Sequence, residues 1–172
     1  MENLISNNYG LAHLISGTIA LVLGGLVIIL KKGTQIHKQI GYCYVASMVV
    51  LILTSFGIYH LFGKFGPFHY LSFVSTFTLV AGMLPMFKTI KTGKDYETHF
   101  KRMYWSVAGL YAAFAAESFV RIPKFGTFWT AVAWSFVLIF VLCFVAFIIM
   151  RPIWSEKFGK MRVQQQSRLP LQ

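Results

Sequence analysis

The chain of 172 residues is 56% hydrophobic and only 12% charged, with a mean hydropathy of +0.63, which excludes an ordinary soluble domain. Its net charge of +11 does not indicate nucleic-acid binding, because the basic residues fall between long apolar runs. Apolar runs of about 20 residues cross the roughly 30 Å hydrocarbon core of a bilayer, so the composition predicts an integral membrane protein.

Five apolar runs along the chain are predicted to be transmembrane helices, which makes the fold all-α. They lie at about residues 9–30, 40–62, 67–87, 100–122 and 125–150. The outer loops between them are short, so consecutive helices should be antiparallel neighbours. A transmembrane domain is therefore expected over 1–155, followed by a cytoplasmic tail over 156–172. This tail is polar and should be disordered from Val163 onward.

The basic residues predict the orientation of the chain in the membrane. Thirteen of the sixteen lysines and arginines lie before the second predicted helix, before or at the start of the fourth, or after the fifth. The other side holds Lys64, Arg121 and Lys124. The positive-inside rule places the larger group in the cytoplasm. The N-terminus is thus expected outside and the C-terminus inside, in a bacterial cytoplasmic membrane.

The first four predicted helices resemble a duplicated hairpin. The first contains "HLISGTIALVLGG" from His13, and the third contains "HYLSFVSTFTLVAG" from His69. The segments that follow, "KKGTQIHKQIGY" and "KTGKDYETHFKRMY", each carry a histidine before an apolar run, at His37 and His99. Parallel repeats of this kind are related by an axis along the membrane normal. We expect a four-helix core from the halves 9–62 and 67–122, with the fifth helix, 125–150, flanking it.

This repeat predicts two histidine pairs, His13 with His69 at the outer face and His37 with His99 at the inner face. Ionisable residues in membrane spans are rare, and a functional role is their default interpretation. Paired imidazoles are the axial ligands of electron-transferring b-type haem. The structural interpretation is that each histidine extends its polar end to the lipid headgroups.

A second group of residues is predicted at the outer face. His60 ends the second helix, and Glu117 and Arg121 end the fourth. His13, His60, His69 and Glu117 together suit a zinc, copper or iron ion. Glu117 and Arg121 are four residues apart and can form an ion pair. Alternatively, Arg121 holds an anionic substrate or a quinone oxygen while Glu117 moves a proton.

Three segments carry a family resemblance: "KGTQIHKQIGYCYVASM", "FHYLSFVSTFTLVAG" and "HFKRMYWSVAGLYAAFAAESFVRIP". Together they resemble a bacterial family of predicted membrane proteins of unknown function, over roughly residues 10–125. The matching positions are His13, Gly33, His37, Gly41, His69, His99, Met103, Ser106, Glu117 and Arg121. The placement of one histidine on each of four core helices is also similar to that in transmembrane dihaem cytochromes. This chain departs from those cytochromes in its five helices, its short outer loops and the additional His60.

The favoured function is oxidoreductase-type electron transfer across the membrane through one or two b-type haems, to or from a small anionic donor or a quinone. The alternative is a mononuclear metal site for metal handling, oxidase assembly or metal-assisted hydrolysis. A third interpretation is a scaffold without a cofactor. Lipid and a second copy of the chain, in a homodimer, are further candidate partners, and no nucleic acid is expected.

Overall fold

The computed structural model describes residues 8–58, 63–89, 92–122 and 126–166. The α-helices are α1 (Asn8–Ile29), α2 (Gln35–Ser55), α3 (Pro67–Met83), α4 (Gly93–Val120) and α5 (Phe128–Gln166). A short 3-10 helix, Leu84–Phe87, continues α3. The described ranges contain no strand. The predicted all-α fold with five long helices is confirmed.

Four segments among the described residues are long and apolar enough to cross a membrane. They are Asn8–Ile29, Gln35–Ser55, Pro67–Phe87 and Phe128–Pro152. The chain is therefore a multi-pass integral membrane protein. The remaining long helix, α4, is less apolar and buries one side against protein, with Met103, Tyr104 and Val107 almost inaccessible.

The chain divides into two compact units, residues 1–77 and 78–172. In the first unit α1 and α2 pack along each other, and in the second α4 packs along α5 and against the 3-10 helix. The boundary falls within α3, so the last turns of α3 belong to the second unit. The helix predicted to flank the core, α5, thus contributes directly to the packing of α4.

Aromatic rings form much of the contact between α4 and α5. Trp154 lies edge-on to Phe100, with ring centroids 4.5 Å apart, and Tyr104 is 5.4 Å from Phe147. The Tyr104 hydroxyl also donates to the carbonyl of Cys143 at 2.6 Å. The phenol therefore has the acceptor that a tyrosine needs when it is removed from water.

Polar caps begin α2 and α4 earlier than their apolar runs predict. Thr34 precedes α2, and its hydroxyl accepts from the backbone N–H of His37 at 3.2 Å. Thr92 precedes α4 and forms a reciprocal capping box with Asp95. The predicted starts, at residues 40 and 100, are late because capped first turns are polar and give no hydropathy signal.

At the other end of the chain, α5 continues through Pro152 to Gln166. Residues 163–166, predicted to be disordered, are therefore helical. A helix already formed over the preceding turns needs no apolar side chains to extend by one turn, because the nucleation cost has been met. The rest of the predicted tail, 167–172, lies outside the described residues.

Candidate histidine sites

The His13 ring is anchored to the last turn of α2. Its Nδ1 lies 3.2 Å from Thr54 Oγ1. That hydroxyl donates its single hydrogen to a carbonyl of its own helix, at 2.8 Å from Val50 or 3.0 Å from Leu51. Thr54 must therefore accept from His13, which puts the ring proton on Nδ1 and the lone pair on Nε2.

The His69 ring is held in the opposite sense. Its Nδ1 accepts from the backbone N–H of Gly66 at 3.0 Å, so the neutral ring carries its proton on Nε2. His69 is the third residue of α3, where Glu or Gln would complete a capping box by reaching back to the same N–H. The ring is 4% exposed and stacks on Phe65 with centroids 4.5 Å apart. This geometry fits a helix cap and does not present a ligand lone pair at Nε2.

Both rings lie near the end of α2 in the first unit. Thr54 contacts His13, and the ring centroids of Phe56 and His69 are 6.2 Å apart. In the same stretch of α2, the hydroxyl oxygen of Ser55 lies 2.6 Å from that of Ser72. The two predicted outer histidines therefore share one polar region. Whether they share a ligand stays a prediction.

The His99 ring is anchored in the second unit. Its Nδ1 lies 2.7 Å from the carbonyl oxygen of Gly82. A carbonyl can only accept, so Nδ1 carries a proton, and in the neutral ring Nε2 carries the lone pair. This tautomer, with Nδ1–H on a backbone carbonyl, is the one that metal-bound histidines usually adopt.

Pro85, just after the end of α3, leaves a second carbonyl available beside Gly82. In a continuing helix Ala81 would accept from residue 85, but Pro85 has no N–H. Arg102 Nη1 donates to the Ala81 carbonyl instead, at 2.8 Å. Met103 packs on the neighbouring Gly82, where an added Cβ would lie 2.6 Å from the methionine Sδ. Pro85 was the sequence signal for the contact of Arg102 with Ala81, which the sequence interpretation missed.

His37 differs from His99 in its place on the helix. It is the third residue after its cap, Thr34, whereas His99 is the seventh after Thr92. The capped positions thus match His37 with Asp95, one turn away from the predicted equivalence. His37 belongs to the first unit and His99 to the second, and their predicted approach stays a prediction.

The predicted ion pair between Glu117 and Arg121 is confirmed, with Oε2 and Nη1 3.5 Å apart. Both side chains are partly exposed at the end of α4. His60 lies outside the described residues. Within the ranges that the structure covers, no three His, Cys, Asp or Glu side chains are placed to hold one metal ion. The alternative metal site, which includes His60, stays a prediction.

A polar cluster that the sequence interpretation did not identify holds the start of α4. Asp95 accepts from Lys88 Nζ at 2.5 Å and from the Thr92 backbone N–H at 2.9 Å. Bonds from Lys88 and then from Thr92 hold the pKa of the Asp95 carboxyl well below its usual range. The T-x-x-D spacing of a capping box was the available signal.

Comparison with known proteins gives one match. The model of a family described as "Predicted membrane protein (DUF2306)" matches residues 10–155. No curated protein and no solved structure matches the chain. The matched region contains the four described histidines and the Glu117–Arg121 pair.

Proposed function

This chain belongs to that family of predicted membrane proteins, and from this premise and the histidine geometry we propose that it binds b-type haem at two separate sites, one that includes His13 and one that includes His99, and carries electrons across the membrane. The family supplies the location and no activity. The proposal therefore depends on the chemistry of the two anchored rings.

The observation that carries the proposal is the shared tautomer of these rings. In each, Nδ1–H is held by an oxygen acceptor, Thr54 Oγ1 for His13 and the Gly82 carbonyl for His99. Such a bond fixes the ring orientation and raises the basicity of Nε2, the ligand atom. Haem held by imidazoles supplies one-electron transfer.

The hydrogen bonds that hold the His13 and His99 rings differ in strength. A backbone carbonyl accepts more strongly than a neutral hydroxyl, and the 2.7 Å bond of His99 is shorter than the 3.2 Å bond of His13. The His99 ring should therefore be the more firmly oriented of the two.

The second axial ligands follow from the predicted pairs. His37 is proposed as the partner of His99. The predicted partner of His13 is His69. The His69 ring could bind iron only after it releases the Gly66 N–H, and this buried donor would then lack an acceptor. His60 is the other histidine predicted at the outer face. We propose that Arg121 binds an anionic donor or quinone there, with Glu117 as its proton-transfer partner.

The anchor of His13 gives a direct test. Thr54→Val keeps the side-chain shape and removes the acceptor for His13, so we expect haem affinity to fall about 10- to 100-fold. Thr18→Val is the matched control, because Thr18 is exposed on α1 and bonds only to its own helix in the described contacts. Haem content is measured from the Soret band of purified protein, with and without added haem.

The wild-type spectrum, taken with metal analysis, distinguishes the candidate functions. A Soret band that His13→Ala and His99→Ala each reduce is the expected result. One equivalent of zinc, copper or iron without a Soret band would replace the haem proposal with the metal-site alternative. Protein with neither would contradict both, and the scaffold interpretation would then stand.

A further inference from the structure

Aromatic contacts fix the register of α4 against α5. The Phe100 ring contacts that of Trp154, with centroids 4.5 Å apart, whereas the Trp105 ring contacts those of Phe147 and Phe140 at 5.8 and 5.9 Å. Because the later residue of α4 meets the earlier residues of α5, the two helices run antiparallel. The Trp105 side of α4 therefore borders the face of α5 that carries Phe140 and Phe147, which are two helical turns apart.

Two exposed cations lie one turn beyond this contact, one on each helix. Lys101 precedes Trp105 by four residues, and Arg151 follows Phe147 by four, so each shares a helix face with its ring. In antiparallel helices these two offsets lead in the same direction. Lys101 and Arg151 therefore reach the same level on neighbouring helices, and both side chains are exposed there.

This level is the end of the apolar part of α5. The segment able to cross a membrane, Phe128–Pro152, ends one residue after Arg151. Toward the middle of that segment, Phe144 and Ile148 lie seven and three residues before Arg151, on its face of the helix, and are 54% and 53% exposed. The surface thus changes from apolar to basic at the depth where phospholipid headgroups meet their acyl chains.

The basic end of this surface carries excess positive charge. Lys94 lies seven residues before Lys101 on α4 and is also exposed. Lys101 Nζ bonds to Glu97 Oε1 at 2.7 Å, which uses one of the three N–H donors of the ammonium group. Among the described residues, no ion pair includes Lys94 or Arg151. Three cations are therefore set against one carboxylate.

We propose that this surface binds a phospholipid with an anionic headgroup. The phosphate lies between Lys101 and Arg151, and an acyl chain follows Phe144 and Ile148 toward the middle of the membrane. A zwitterionic phospholipid has the same phosphate and chains, but its own cationic group would lie among the cations, so the surface favours net negative charge. The inference is independent of the proposed haem sites.

The test measures phospholipid binding to the purified full-length chain by native mass spectrometry. The probes are phosphatidylglycerol and phosphatidylcholine with the same acyl chains, and the wild type should bind phosphatidylglycerol more tightly. The double variant Lys101→Gln, Arg151→Gln should weaken phosphatidylglycerol binding about 10- to 30-fold and leave phosphatidylcholine binding largely unchanged. The matched control is Lys31→Gln, Lys38→Gln, which removes two exposed lysines around the start of α2 and should retain the preference.

A conservative variant checks that charge is the cause. Arg151→Lys keeps the charge and should retain most of the wild-type affinity for phosphatidylglycerol. Equal affinity of the wild type for the two lipids would overturn the inference. The same loss in the control pair would also overturn it, since that would show a general attraction of anionic lipid to basic loops. Displacement of phosphatidylglycerol by inorganic phosphate at constant ionic strength would overturn it as well, because a site that phosphate alone fills needs no acyl chain.

Discussion

The imidazole rings of His13, His69 and His99 are held through Nδ1, and the partner differs from one ring to the next. His13 and His99 donate from this nitrogen, whereas His69 accepts at it. A sequence identifies a histidine without its tautomer, because the tautomer depends on whether the neighbouring group donates or accepts. The sequence therefore predicted the same ligand role for all four histidines, whereas the described contacts give His13 and His99 one tautomer and His69 the other.

The distinction at His69 predicts the behaviour of His69→Gln. Glutamine at the third position of a helix can make the same bond to the N–H of Gly66. We expect His69→Gln to keep both haem content and most of the thermal stability. His69→Ala should keep haem but lose about 1–3 kcal/mol, because the Gly66 donor is buried and left unmatched. Soret absorbance and thermal unfolding in detergent measure the two effects.

A different result would reassign the ring. If His69→Gln abolished a Soret band while unfolding at the wild-type temperature, His69 would be an axial ligand that turns its ring on binding. The parallel variant His60→Ala would then retain haem. If His60→Ala lost the band instead, His60 would be the partner of His13.

At the scale of helices, the contact between α3 and α4 depends on the absence of a side chain at Gly82. We expect Gly82→Ala to lower stability by about 1–3 kcal/mol, because Met103 must move from a tightly packed position. Gly109→Ala is the control, since a Cβ there would meet nothing within 4 Å. Thermal unfolding should detect the difference between the two variants.

A double variant shows whether Met103 is the cause. Met103→Ala alone leaves a cavity, but in the Gly82→Ala background it also relieves the clash, so the two losses should be less than additive. Strict additivity would mean that the cost of Gly82→Ala arises elsewhere, for example in the hydrogen bond from His99.

The start of α4 makes a prediction about pH. The pKa of Asp95 is lowered in the folded state by Lys88 and Thr92, so its stabilising effect is present above the unfolded value near 3.9. It is lost progressively as pH falls below about 4, because protonation then favours the unfolded chain. The Tm of the wild type should fall between pH 6 and pH 3 more steeply than that of Asp95→Asn.

The control for this prediction is Glu97→Gln. Glu97 forms an i,i+4 pair with Lys101 at 2.7 Å, on a more exposed side of the same helix. Exposed pairs of this kind contribute little, so Glu97→Gln should follow the wild-type pH profile. Parallel profiles for wild type and Asp95→Asn would show that the capping box does not limit unfolding.

For the whole molecule, the split of basic residues predicts an outside N-terminus and an inside C-terminus. A periplasm-active reporter fused after Phe62 should be active, and one fused after Met150 should be inactive. A cytoplasm-active reporter at the same two positions should give the reverse. The opposite pattern at both sites would exchange every outer and inner assignment.

Across the whole molecule, some features could be predicted from the sequence and others could not. Hydropathy predicted the long helices because each contains an apolar run, the one in α4 being the weakest, and the i,i+4 spacing predicted the Glu117–Arg121 pair. The repeat pattern matched His37 with His99 by aligning the histidines, whereas aligning the threonine caps matches His37 with Asp95. The division of the chain within α3 had no local signal, because it depends on which helices pack together.

The lower hydropathy of α4 has a consequence for how the protein is made. A translocon releases a segment into lipid according to its hydrophobicity, and among the long helices α4 is the one that falls outside the four apolar spans. We therefore expect α3 and α5 to hold α4 in the bilayer. His99 and Arg102 bond to the end of α3, and aromatic rings of α4 contact α5. Biogenesis of α4 should therefore wait for synthesis of α5, and a nascent chain ending before Phe128 would hold it poorly in the bilayer.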